Sequence, residues 1–362
     1  MVEERPELRV AVVGYGLGGR AFHAPFVAAE PGLRLAAVVT GDPERGAAVA
    51  ARYPDTEVVK QVDEVFARSG DFDAVVVTTP NGTHAGLARQ ALEAGLHAVV
   101  DKPLAGTSAA ARELFALAEA RGLVLQAYQN RRFDGDFRTL RGLIAEGRLG
   151  AVRRFESRFE RWRPVPKGGW KEDGDPAHLG GILFDLGTHV IDQAVALFGR
   201  PERVYAEVLS RREGDATDDD AFVALTHRGG VLAHLWVSAV APDLGPRMRV
   251  LGDRAAYVKH GMDVQEAALR DGAVPGGPGW GAEPEEAWGV LGDVTDGFAP
   301  VPTVNGDYGA FYRGFAAAVR EAGGSPRLPV PPAESVAVLE VIEAARHSAA
   351  AGGAVELSGD PG

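Results

Sequence analysis

The sequence predicts a doubly wound parallel α/β domain, followed by a second domain built on a mostly antiparallel sheet. Three observations predict it. Through about residue 127, short apolar runs rich in β-branched residues alternate with Ala-rich stretches that carry charges at helical spacing. The early runs are apolar on both faces, as strands of a covered parallel sheet are, and strand–helix alternation is the rhythm of such a sheet. After about residue 128 the runs follow one another without helices between them, and their alternation is closer to period two.

In the first domain, strands are expected at Leu8 to Val13, Leu33 to Val39, Ala74 to Thr78, Ala98 to Val100 and Leu123 to Ala127. Helices are expected at Pro43 to Arg52, Thr83 to Ala94 and Thr107 to Arg121. The second domain offers strands at Val152 to Glu160, Arg203 to Leu209, Ala221 to Thr226 and Val231 to Ser238, with Gly229-Gly230 as a hairpin turn. A helix from about Phe184 to Phe198 interrupts them. Asp271 to Gly306 is rich in Gly and Pro and reads as one long loop, packed by Trp280 and Trp288. Helices at Tyr308 to Ala322 and Pro332 to Ala350 close the chain. The expected domains are 1–127 and 128–307, with the helices of about 308–350 packing back on the first.

A chain of 362 residues suits two domains better than one core. Its net charge of −12 disfavours nucleic acid and anionic lipid as partners of its overall field. With no cysteine, disulfides, thiolate metal sites and a cysteine nucleophile are excluded. Met1-Val2-Glu3-Glu4-Arg5 is polar, and no run approaches the roughly 20 apolar residues of a membrane helix. A cytoplasmic enzyme is the expectation.

Gly14, Gly16 and Gly19 fit G-x-G-x-x-G directly after the first strand and at the opening of a helix. In that context one glycine makes the tight turn, one lets the backbone approach a pyrophosphate, and one lets helix and strand pack closely. The helix N-terminus then offers N–H groups and partial positive charge to the phosphates. A plain glycine turn is the bland alternative in a chain with 47 glycines. The second strand ends in Thr40-Gly41, without the acid that usually holds the ribose 2′-hydroxyl of NAD. Thr40 can hydrogen-bond a 2′-phosphate and Arg45 can neutralise it, which favours NADP over NAD. Asp42 starts the next helix, or moves into the acidic role. Thr79, Pro80 and Asn81 follow another strand and should border the nicotinamide ribose; Asn81 or Thr83 also suits a helix cap.

Asp101-Lys102-Pro103 lies at a further strand end, where a lysine can stabilise a developing alkoxide and the proline can hold a cis bond or a fixed turn. Asp185 and His189 are four apart on an expected helix, with Asp192 one turn on, amid apolar residues. A histidine oriented by a carboxylate is a general acid/base. A core His–Asp hydrogen bond is the bland alternative. Metal binding by the three is disfavoured, because nothing else in the sequence marks a metal cluster.

These motifs together resemble the glucose–fructose oxidoreductase, inositol dehydrogenase and rhizopine-catabolism (Gfo/Idh/MocA) family over nearly the whole length. The N-terminal glycine run, Lys102-Pro103 and the Gly180 to Asp192 segment carry the resemblance. Gly14-Tyr15-Gly16-Leu17 with Phe22-His23-Ala24-Pro25, Tyr128 to Asp134 and His260 to Glu266 are similar to its NADP-dependent scyllo-inositol dehydrogenase subgroup. The resemblance implies a Rossmann domain, then a domain with a large open sheet that often forms a homodimer or homotetramer interface. It implies Lys102 as catalytic lysine, Asp185 as substrate-orienting carboxylate and His189 as acid/base. It extends the expected cofactor contacts to Leu17, His84, Asp101, Lys102, Gln129 and Asn130. Asp101 stands where the family usually has Glu. Arg163, Trp170 and Lys171, in the loop between Trp162 and His178, are candidate substrate or cofactor contacts. The implied reaction interconverts a secondary alcohol and a ketone on a cyclic polyol or sugar, an inositol above all. An anhydro-sugar or other sugar reductase shares the same three residues. A ligand-sensing, NADP-binding regulator would have no need of them.

Overall fold

The computed structural model describes residues 7–214, 216–322 and 327–357, so the polar Met1 to Arg5 segment lies outside the described residues. In chain order the elements begin with β1 (Leu8–Val13), a π-helical turn (Gly18–His23) that runs into α1 (Ala24–Ala29), β2 (Leu33–Val39), α2 (Pro43–Arg52), β3 (Glu57–Val59) and α3 (Val62–Ala67). Then come β4 (Ala74–Val77), α4 (His84–Glu93), β5 (His97–Asp101), α5 (Ser108–Ala120), β6 (Leu125–Tyr128) and α6 (Gly135–Ala145). Next are β7 (Val152–Glu160), a second π turn (Leu183–Gly187), α7 (Thr188–Phe198), β8 (Pro201–Leu209), β9 (Asp220–His227), β10 (Leu232–Ser238), β11 (Met248–Gly252) and β12 (Ala256–Lys259). The chain closes with α8 (Gln265–Arg270), β13 (Gly289–Asp293), β14 (Gly297–Val301), α9 (Gly309–Arg320), α10 (Pro332–Ala351) and β15 (Val355–Glu356).

The chain forms two compact units. One holds 1–130, 265–280 and 307–332; the other holds 131–264, 281–306 and 333–362. In the first, six strands form a parallel sheet in the order β3-β2-β1-β4-β5-β6. β4 is buried along its whole length, as its unbroken Ala-Val-Val-Val run requires. Asp42 starts α2 by accepting from the N–H groups of Glu44 and Arg45, with Pro43 in the first turn. Phe22, Phe26 and Tyr128 pack with Tyr308, Phe311 and Tyr312, so α9 completes this core. Each fully buried aromatic there contributes about 2 kcal/mol of burial energy. The Gln126 side chain donates to Val330 O and accepts from Val330 N, which ties the late chain to the last strand of the sheet.

The second unit carries nine strands in the order β14-β13-β12-β11-β7-β10-β9-β8-β15. β7 and β10 run parallel; the other pairs are antiparallel. β9 alternates strictly, with Ala221, Val223 and Leu225 buried. On the opposite face Phe222 packs on Trp236, and the Arg158 guanidinium lies 4.0 Å from the Trp236 ring centre. Gly229 and Gly230, at φ of 90° and 85°, make the expected β9–β10 turn, a conformation open to glycine and costly to most other residues.

Three expectations change. Asp271 to Gly306 is not one loop, because β13 and β14 pair as an antiparallel hairpin at the edge of the nine-stranded sheet. Pro300 fits there, since an edge strand does not need every N–H. Trp280 does pack: it donates to Gln265 and meets Phe26 edge-on. Of the two closing helices, α9 belongs with the first unit and α10 with the second. α10 is bound there by ion pairs from Glu340 to Arg200 and from Arg346 to Asp218, and by the Ser348 hydroxyl, which accepts from Ala206 N. Finally, Pro176–Phe198 is long and apolar enough to cross a membrane by length and composition, but 78% of that window is buried inside the fold.

Candidate active site

The parallel sheet of the first unit aligns the predicted cofactor residues. Val13 pairs with Val39 and Val77, Val77 with Val100, and Asp101 with Tyr128. The segments that follow these positions therefore leave one carboxyl edge. They are Gly14 to Gly19, Thr40, Thr78 to Asn81, Lys102, and Gln129 with Asn130. Ligands of open α/β sheets bind along such an edge.

The glycine turn has the shape a dinucleotide needs. Gly14 has φ +100°, and a Cβ there would stand 2.8 Å from the Thr78 carbonyl oxygen. A Cβ on Gly19 would stand 2.1 Å from the Gly14 carbonyl oxygen, and one on Gly18 would stand 2.4 Å from Thr78 Oγ1. A Cβ on Gly16 would meet nothing within 4 Å. Gly14, Gly18 and Gly19 are thus demanded by the protein's own packing. Gly16 instead borders open space. The residues fit the group. The helix they open begins as a π turn, with Leu17 half-exposed just ahead of it.

At the end of β2, Thr40 is buried and its hydroxyl accepts from Asp42 N. Asp42 caps α2 with Oδ1 and pairs with Arg45 Nε at 3.3 Å through Oδ2. Its carboxylate is therefore occupied at the helix start, and the Arg45 guanidinium is exposed beside it.

Pro80 precedes a single 3-10 turn that holds the buried Asn81. Thr79 Oγ1 and Thr83 Oγ1 are hydrogen-bonded at 2.5 Å. His84, expected among the cofactor contacts, is buried, with both ring nitrogens engaged at 2.8 Å, one on Pro103 O and one on Thr79 O. It braces two strand-end loops together. The Lys102-Pro103 bond is cis. Lys102 N donates to Asp101 Oδ1 at 2.8 Å. Gln129 and Asn130 are buried where β6 ends.

In the second unit, Asp185 and His189 do not lie on one regular helix. Asp185 sits in the π turn, and α7 begins only at Thr188. A π turn widens the helix locally, a device common at functional sites. Lys171 Nζ donates to Asp185 Oδ1 at 2.6 Å, and Arg161 stands 3.9 Å from Oδ2. His189 is buried, with its ring 5.9 Å from that of Phe159. Three guanidinium groups surround that same Phe159, those of Arg131, Arg161 and Arg247.

Asp192 has a different role from the one its spacing suggested. It is fully buried and accepts from Arg132 at both oxygens, at 2.8 and 2.6 Å, while Arg132 also pairs with Glu334. This is a structural ion pair. Arg163 enters the fold through its backbone, which donates to Ala239 O and accepts from Arg212. Lys171 and Arg161 both reach Asp185 with their side chains. Sequence reasoning passed over Arg161 and Phe159; the one signal for them was their place at the end of the predicted Val152 to Glu160 strand.

Comparison with known proteins gives a consistent result. A family model described as an oxidoreductase family with an NAD-binding Rossmann fold matches residues 8–129, and one described as a GFO/IDH/MocA C-terminal domain matches 137–258. The chain is 40% identical over 355 residues to the uncharacterized oxidoreductase YdgJ of Escherichia coli, covering 94% of this chain and 96% of that one. It is 35% identical over 344 residues to the scyllo-inositol 2-dehydrogenase (NADP(+)) IolW of Bacillus subtilis, covering 94% and 93%. Among solved structures, the oxidoreductase yvaA of Bacillus subtilis superposes with a TM-score of 0.89 at 34% identity, covering 97% of this chain and all of that one.

Proposed function

We propose that this chain, which belongs to the Gfo/Idh/MocA family of NAD(P)-dependent oxidoreductases, interconverts a secondary alcohol and a ketone on an inositol of the scyllo type, with NADP as hydride carrier. The observation that carries the cofactor reading is the engagement of Asp42. An acid that caps α2 by accepting from the backbone of Glu44 and Arg45 is already engaged at the helix start, whereas Thr40 and Arg45 together suit a 2′-phosphate. The polyol reading is supported by the IolW relative, which matches across both units, and by the presence in this chain of Lys102, Asp185 and His189.

When bound, the dinucleotide supplies or accepts the hydride at its nicotinamide ring. The rest belongs to this chain. His189 takes the hydroxyl proton in oxidation and returns it in reduction. Lys102 donates to a substrate oxygen and stabilises the developing alkoxide. Asp185, held by Lys171 and Arg161, accepts from a neighbouring hydroxyl and orients the ring. The half-exposed face of the nine-stranded sheet, with Phe222 and Trp236, is the surface on which we place a homodimer or homotetramer contact.

Steady-state kinetics with NADP and NAD against scyllo-inositol, myo-inositol and glucose test this reading. The expected result is turnover of scyllo-inositol with NADP. Lys102→Ala and His189→Ala should each lower kcat by about 100-fold or more while NADP still binds. A flat response to every polyol with both cofactors, or near-wild-type turnover in either variant, overturns it.

A further inference from the structure

We propose that His23 is a positioning residue for Lys102, acting through the Asp101 carboxylate, with Tyr312 fixing the orientation of its ring. The inference rests on the reading of Lys102 as a catalytic group.

All the residues concerned lie in the nucleotide-binding unit. The His23 ring is fully buried and packs against Tyr128 with centroids 4.3 Å apart. Nδ1 is 2.6 Å from the Tyr312 hydroxyl. Nε2 faces Asp101 Oδ2 at 3.6 Å and has no hydrogen-bond partner among the described residues. Closing that gap by about 0.6 Å would make a bond of ordinary length. The other carboxylate oxygen, Oδ1, accepts from Lys102 N. One small carboxylate thus has the imidazole on one oxygen and the backbone of the lysine on the other. It is confined on a third side too, since a Cβ on Gly18 would stand 3.1 Å from Oδ2. Swinging Asp101 away from His23 would break or strain its hydrogen bond to Lys102 N.

The protonation states agree with this geometry. A carboxylate on the Nε2 side places the ring proton on Nε2, which leaves Nδ1 to accept from Tyr312. Burial pushes the Tyr312 hydroxyl well above its ordinary value, so it stays a donor. Burial also pushes the Asp101 carboxyl up, but its neighbours His23, Lys102 and His84 together bring it down to about 2. The titratable groups facing Asp101 are His23, Lys102 and His84, and those facing His23 are Asp101, Tyr312 and Tyr128. A negative charge held behind Lys102 favours its ammonium form. The position of that charge is what His23 controls.

The test uses full-length enzyme and two readouts. One is the titration of the Lys102 side chain, followed by NMR on enzyme with 13C-labelled lysine and without substrate or cofactor; Lys102→Met assigns the signal. The other is kcat and KM with NADP and scyllo-inositol. His23→Leu and Asp101→Asn should each shift the Lys102 titration down by about one pH unit. Each should lower kcat about tenfold, with polyol KM within about twofold. His23→Gln keeps an N–H for Asp101 and should restore most of both; Tyr312→Phe should move both slightly in the direction of His23→Leu. A role in packing alone gives the opposite order, since a buried leucine is tolerated better than a buried glutamine. The inference is overturned if His23→Leu melts like wild type and leaves the Lys102 titration and kcat unchanged, or if His23→Gln is the worse variant. Should His23→Leu not fold, Tyr312→Phe and Asp101→Asn carry the same criteria. Wild-type turnover in Lys102→Met would instead refute the catalytic role of the lysine, and the NMR series would still decide the coupling.

Discussion

Gly16→Ala separates binding of the cofactor from stability of the fold. A Cβ at position 16 meets no atom of the protein within 4 Å, and Gly16 is not among the positive-φ glycines. The variant should therefore melt within about 0.5 kcal/mol of wild type. The methyl group would stand in open space at the turn proposed to cradle the pyrophosphate. Pushing a pyrophosphate back by about 1 Å takes its charge-assisted bonds to the turn beyond useful length, and each such bond contributes about 1.5–3 kcal/mol. Losing one or two raises Kd for NADPH about 100-fold. Gly19→Ala makes the contrast. Its Cβ would lie 2.1 Å from the Gly14 carbonyl oxygen, so the turn must open by about 1 Å, at about 1–3 kcal/mol of stability as well as affinity. Fluorescence titration with NADPH and thermal melts on both variants give the two numbers. Wild-type affinity in Gly16→Ala would refute the assignment of this turn as the pyrophosphate cradle.

Other perturbations follow from the same geometry. Asp192→Ala leaves the buried Arg132 with Glu334 alone and should cost about 3 kcal/mol in urea unfolding; a loss below about 1 kcal/mol would contradict a structural pair. Burial pushes the His227 ring down to about 4, so the folded state binds fewer protons than the unfolded chain below pH 6.5. Stability should fall as pH drops from 6.5 to 4, by up to about 3 kcal/mol, and His227→Asn should flatten this slope; equal slopes in the two proteins would disprove it. Lys171→Met frees the Asp185 carboxylate on one side and should raise the polyol KM about tenfold with Kd for NADPH unchanged, whereas an unchanged KM would remove Lys171 from the substrate site.

The nucleotide unit was legible because its signals are local. β1, β2 and α2 fall where glycines, prolines and β-branched runs place them, and most cofactor candidates lie at or just after a strand end, with Arg45 and His84 on the helices that follow. β3 is three residues long, with Glu57 at its head, and offers no periodicity to read. The β13–β14 hairpin was hidden by composition, since Gly289, Gly292, Gly297 and Pro300 spell a loop unless an edge strand is already there to pair with. Lys102, Asp185 and His189 are candidates by motif alone. What surrounds them is tertiary. Arg132 meets Asp192 across 60 positions, and Tyr312 meets His23 across 289. No window of sequence contains either pair.

The return of the chain through α9 bears on how this protein is made. Phe22, Phe26 and Tyr128 are synthesised early, yet the aromatic partners that cover them, Tyr308, Phe311 and Tyr312, come about 180 residues or more later. At about 5–20 residues per second a ribosome needs roughly 10–40 s to cover that distance. During that interval any parallel sheet already formed would carry a bare aromatic flank, with Gln126 still lacking Val330. A fragment cut after residue 130 would retain every glycine of the nucleotide turn and still present that flank to solvent. It would be sticky in a way its sequence motif gives no hint of, and chaperone demand during synthesis should concentrate on this one late-closing surface.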